Sequence, residues 1–75
     1  MSRRLPVVSG DALVRALRRG GWEVVRQRGS HVRLKHPDRR TPLTVPLHRE
    51  LKRGTLAGIL GDAGLDADEF RRLLG

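Results

Sequence analysis

The chain has 75 residues, enough for one domain, and carries 16 Lys and Arg against 8 Asp and Glu, a formal net charge of +8. It has no cysteine, which excludes a disulfide scaffold, a zinc knuckle and a thiol nucleophile. No apolar run approaches the roughly 18 residues of a membrane span, and the apolar run at residues 5–8 is too short for a signal-peptide core, so the chain reads as a soluble, basic protein of the cytoplasm.

Ser9-Gly10-Asp11 opens the first predicted helix, with Ser9 as N-cap and Asp11 in the positive first turn. Leu13, Ala16 and Leu17 follow at i, i+3 and i+4, a stripe to be buried. Gly20-Gly21 stops the helix by offering a left-handed position. Residues 22–26 are rich in β-formers and predict a strand, and Arg28-Gly29 predicts a compact turn. Residues 31–36 then alternate, with Val32 and Leu34 on one side and His31, Arg33 and Lys35 on the other. Pro37-Asp38 begins a loop carrying Arg39 and Arg40, and Leu43-Thr44-Val45 is a third short strand closed by Pro46. Thr55 is the expected N-cap of a second helix with Leu56, Ile59, Leu60 and Ala63 inward, ended by Gly64. Asp66 and Glu69 form a capping-box pattern for a short final helix that buries Phe70, Leu73 and Leu74. The order α-β-β-β-α-α predicts an α+β two-layer sandwich over residues 1–75, a single domain. Its antiparallel three-stranded sheet has one face on the helices and one basic face. The first few residues are candidates for disorder.

The charge is uneven. Residues 1–53 hold 14 Lys and Arg against four acids, net +10, and residues 54–75 are net −2. A basic part of this strength is a candidate for binding a polyanion. Aromatics are only Trp22 and Phe70, too few both to fill a core and to stack bases on an open sheet face, which argues against single-strand readers of that kind.

Among side chains able to do chemistry, the histidines come first. His31 follows the 28–30 turn on the face that carries Arg33 and Lys35. A neutral imidazole can take a proton from a ribose 2′-OH or give one to a leaving 5′-oxygen, and neighbouring cations can bind the phosphate between them. The 2′-OH is then the substrate's own nucleophile, and no cofactor is needed. His36 reads as a loop residue. His48 follows the third strand and is a possible second group at the site, with its side not fixed by the pattern. The three histidines are five and twelve residues apart, which matches no metal-ligand motif. Gly29-Ser30 fits a hairpin turn needing positive φ. The same turn can also cradle a phosphate on its backbone N–H groups.

Several of these elements recur together. Gly21-Trp22, then residues 26–31 (Arg-Gln-Arg-Gly-Ser-His), Val45-Pro46-Leu47-His48, Gly54-Thr55-Leu56 and Ala63-Gly64-Leu65 stand in order and at close spacing. In these, from about Leu5 to Leu74, the chain resembles the HicA family of mRNA interferase toxins. The resemblance implies a fold similar to the double-stranded RNA-binding domain and ribosome-independent endoribonuclease cleavage of mRNA, which the residues would run without a metal. It implies His31, the histidine of Gly-Ser-His, as the catalytic residue, and a HicB-type antitoxin that binds the toxin and blocks its site. The RNA contacts expected around His31 are Arg26, Arg28, Gly29, Ser30, Arg33 and Lys35. The alternative is a non-catalytic basic module that holds A-form RNA by shape and phosphate contacts; a third reading has the basic face dock only another protein.

Overall fold

A computed structural model describes residues 4–75; the expectation of disorder for the first few residues falls on residues 1–3, outside this range. The elements are α1 (Gly10–Arg19), β1 (Glu23–Arg28), β2 (His31–Lys35), β3 (Leu43–Pro46), α2 (Arg53–Ala63) and α3 (Ala67–Leu74). The strands form an antiparallel sheet in the order β1-β2-β3. This is the α+β order expected from the sequence. No helix among the described residues is long and apolar enough to cross a membrane.

The core lies between the sheet and the helices. Val32 and Leu34 of β2 and Leu43 and Val45 of β3 point into it, against Leu13, Ala16 and Leu17 of α1 and Leu56, Ile59, Leu60 and Ala63 of α2. Both aromatic side chains, Trp22 and Phe70, are buried there too. Neither is left to stack on a base.

Several helix ends are closed by chemistry legible in the chain. Ser9 Oγ accepts from Ala12 N–H at 3.0 Å, and Asp11 lies in the first turn. At the other end Gly21 has φ +97°, Gly21 N–H donates to Arg18 O and Trp22 N–H to Leu17 O. These are the paired bonds of a Schellman ending, and they turn the chain from α1 into the strand while burying Trp22. Asp66 Oδ1 accepts from Glu69 N–H at 2.8 Å and Glu69 Oε1 from Asp66 N–H at 3.2 Å, a complete capping box on α3. Two arginines close C-termini from a distance. Arg19 Nη1 donates to Leu73 O and Leu74 O at the end of α3, and Arg39 Nη2 to Asp62 O at the end of α2.

Two expectations shift. Thr55 is not the N-cap of α2: Lys52 is, with no side-chain bond, and Thr55 lies inside the first turn. The buried Leu51 decides this, because its N–H is held by Val8 O and the chain enters the helix directly after it. The hairpin turn is Gly29-Ser30, as expected for a turn needing glycine there, with Arg28 and His31 paired across it. Of the two turn residues only Gly29 has positive φ, +57°, a conformation that favours glycine there. β1 accordingly starts at Glu23 and runs to Arg28.

The end of the molecule that carries this turn is tied by three backbone bonds. Gly10 N–H donates to His48 O, Leu47 N–H to Ser30 O, and Leu51 N–H to Val8 O. The approach is so close that a Cβ on Gly10 would lie 2.0 Å from Pro46 O and 2.8 Å from Leu47 Cα. Gly10→Ala should therefore destabilise the protein by about 3 kcal/mol in urea unfolding. Gly58 in the middle of α2 has no atom within 4 Å of such a Cβ, and Gly58→Ala should stabilise by about 0.5–1 kcal/mol in the same measurement.

Candidate functional site

β2 alternates as its sequence requires, with Val32 and Leu34 buried and His31, Arg33 and Lys35 exposed. Residues directly opposite in an antiparallel pair share a face. The register therefore places Arg28 beside His31 and Arg26 beside Arg33 on the open face, with Thr44 beside Arg33 from β3. Pro46 closes this side opposite His31.

Arg26 and Arg28 reach that face because β1 is irregular. Strict alternation would set Val24, Arg26 and Arg28 on one side together. Between Val24 and Arg26 the register slips by one residue, leaving Val25 without a partner. This is a β-bulge. It keeps Val24 opposite the buried Leu34 on the helix side and turns Arg26 and Arg28 to the side of His31.

The result is a shallow depression of about 160 Å³ lined by Arg26, Arg28, His31, Arg33 and Thr44. Four of these lie at or near positions singled out from the sequence. Thr44 was not singled out, although the alternation of Leu43-Thr44-Val45 could have placed it. Lys35 lies farther along the same face, where the register pairs it with Glu23, and Gly29-Ser30 forms the rim at the hairpin end. His48 does not line the depression: it is exposed beyond β3, and its carbonyl accepts from Gly10 N–H.

His36 has a structural task that its loop position conceals. Its ring lies against Trp22, with centroids 5.3 Å apart. Asp38 N–H donates to Nδ1 at 3.0 Å, and Nε2 is 3.2 Å from Gly20 O. Since Nδ1 accepts, Nε2 carries the proton and donates to that carbonyl. The imidazole thus joins the end of α1 to the loop after β2. Of the three histidines, only His31 faces the arginines.

The arrangement suits a phosphodiester. Three guanidinium groups from two strands surround one imidazole, and arginine forks match phosphate oxygens. Arg19 and Arg39, which cap helices, are not part of this group, so the open-face arginines can be told apart from the structural ones.

A family model described as HicA toxin of bacterial toxin-antitoxin matches residues 10–65, three-quarters of the chain. The matched stretch runs from the first residue of α1 through the whole sheet and α2, and so includes His31 and every residue of the depression. No curated protein matches the chain. By the extent of that match, the chain belongs to the HicA family of bacterial toxin–antitoxin toxins.

Proposed function

We propose that this toxin is a metal-independent endoribonuclease that cleaves mRNA in the cytoplasm, with His31 as its general acid or base, and that a HicB-type antitoxin neutralises it. The observation that carries the reading is the placement of His31 in a depression walled by Arg26, Arg28 and Arg33. In the reaction the ribose 2′-oxygen attacks the adjacent phosphorus and loses its proton, the P–O5′ bond breaks, and the 5′-oxygen takes up a proton. One imidazole serves one of these two transfers, and water serves the other. The arginines hold the phosphate and offset the charge that builds on its oxygens in the transition state. Gly29 and Ser30 at the rim and Lys35 farther along extend the contact to neighbouring phosphates, and His48 lies outside the chemistry.

His31→Ala should lower RNA cleavage by about 10²–10⁴-fold and relieve growth arrest in a bacterial host, while the folded variant still binds RNA. Cleavage by the wild type should survive EDTA and leave 2′,3′-cyclic phosphate and 5′-hydroxyl ends. Full toxicity in a folded His31→Ala protein would overturn the mechanism. Salt-sensitive binding with no cleavage after long incubation would leave the binding module instead.

A charge-matched pair of double variants separates site arginines from structural ones. Arg26→Ala with Arg28→Ala should weaken RNA binding and flatten its dependence on log salt by about two contacts, with stability near that of the wild type. Arg19→Ala with Arg39→Ala removes the same charge but should instead lower stability, by about 1 kcal/mol for each lost carbonyl bond, and leave the salt slope closer to the wild type. Fluorescence anisotropy with an RNA oligonucleotide at several salt concentrations, and urea unfolding, read the two effects.

A further inference from the structure

The helix layer does not extend over β1. All six residues of that strand are exposed, and it has a strand neighbour on one side only. Between it and α1 runs an open groove of about 720 Å³ in which the apolar Val14, Val24 and Leu47 stand beside the polar Asp11, Arg18, Glu23 and Gln27. Val24 is 42% and Val25 50% exposed; with Val7 they are the exposed large apolar side chains among the described residues. The bulge aims Val24 and Gln27 into this groove while Arg26 and Arg28 point to the opposite side of the same strand.

We propose that this groove receives the antitoxin, as an extended segment with apolar side chains on one face and acidic side chains on the other. The two faces of β1 specify both properties. A chain laid along the free edge turns alternate side chains to the two sides of the sheet. On the helix side they meet Val14, Val24 and Leu47 in the groove, and on the open side they meet Arg26 and Arg28. A second copy of this chain does not fit. Two molecules that each carry +8 repel, and the two arginines of β1 would find only one acid, Glu23, on a second β1. RNA does not fit either, because the groove has one cation, Arg18, beside the acids Asp11 and Glu23 and offers no excess of positive charge to a phosphate backbone. Docked in this way, the antitoxin's acidic side chains occupy the arginines around His31 without filling the depression. The inference rests on the toxin–antitoxin pairing and is independent of whether His31 cleaves RNA.

The test uses the full chain and an antitoxin of the HicB type, the partner proposed above. Val24→Lys on β1 and Val14→Lys on α1 place a charge on opposite walls of the groove. Each should weaken antitoxin binding by tenfold or more in calorimetry, with circular dichroism and RNA affinity as in the wild type. Hydrogen exchange of the wild-type complex should show new protection at residues 24–28. Should one lysine variant fail to fold, the other and the near-isosteric Val24→Thr, expected to weaken binding about threefold, still decide the matter. Binding within twofold of the wild type in both lysine variants, or protection confined to β2 and β3, overturns the groove. Lost RNA affinity with unchanged antitoxin affinity assigns the groove to RNA and overturns it as well. An antitoxin that does not bind the wild type overturns the pairing itself, a result distinct from these.

Discussion

A strand has two faces and a period of two, so three residues at even spacing share one of them. In β1 those residues are Val24, Arg26 and Arg28, whose side chains need opposite environments. The unpaired Val25 removes the conflict. It costs the sheet a residue of regular pairing and leaves a valine half exposed. In return the strand meets Trp22 and the core at one end and the hairpin at the other, with each side chain on a compatible side. Much of the candidate site depends on this one extra residue, since two of its three arginines reach His31 by way of it. The same residue aims Val24 and Gln27 into the groove beside α1, so the bulge sorts the strand into a basic face and one without cations.

The hairpin end needs a firm base, and the backbone supplies it. The N-terminus of α1, the turn before His31 and the exit from β3 meet there through the Gly10–His48 and Leu47–Ser30 bonds. Only glycine allows α1 to start so close to Pro46. A chain of this size without disulfides has a small core and few ways to stiffen a site. Here the stiffness comes from main-chain bonds at the end where His31 stands, opposite Pro46. Arginines contribute at the other helix ends, where Arg19 and Arg39 satisfy carbonyls that would otherwise face water. The high arginine content therefore divides between holding helices together and forming a basic surface.

What could be read from the sequence follows from how local each feature is. The α1 stripe, the Ser9 cap, the Asp66–Glu69 box and the alternation of Val32 and Leu34 are set within a few residues, and all four hold. His31, Arg33 and Lys35 share a face for the same reason. The bulge left no local mark, because Val25 is an ordinary β-former and the slip is set by pairing with β2. Thr55 looked like a cap because its type favours caps, but the burial of Leu51 starts the helix earlier. The anchoring role of His36 depends on Gly20, sixteen residues away, and no spacing rule relates them. Thr44 belongs to the depression only because β3 lies beside β2.

The separation of the two faces bears on how a toxin of this kind can be restrained. On the proposed reading, RNA needs the open face, where guanidinium groups stand around an exposed imidazole. A partner that competed only there would have to match a shallow, strongly hydrated, charged surface, where ion pairs contribute little net affinity because each must shed water. The groove beside α1 offers a different source of binding free energy, the burial of Val24, which is 42% exposed, with the partly buried Val14 and Leu47. β1 forms one side of that groove and carries two of the site's arginines. A segment held by its apolar face thus needs only short acidic side chains to reach them. Affinity can then come from one side of the strand and inhibition from the other, with the bulge setting the distance between them.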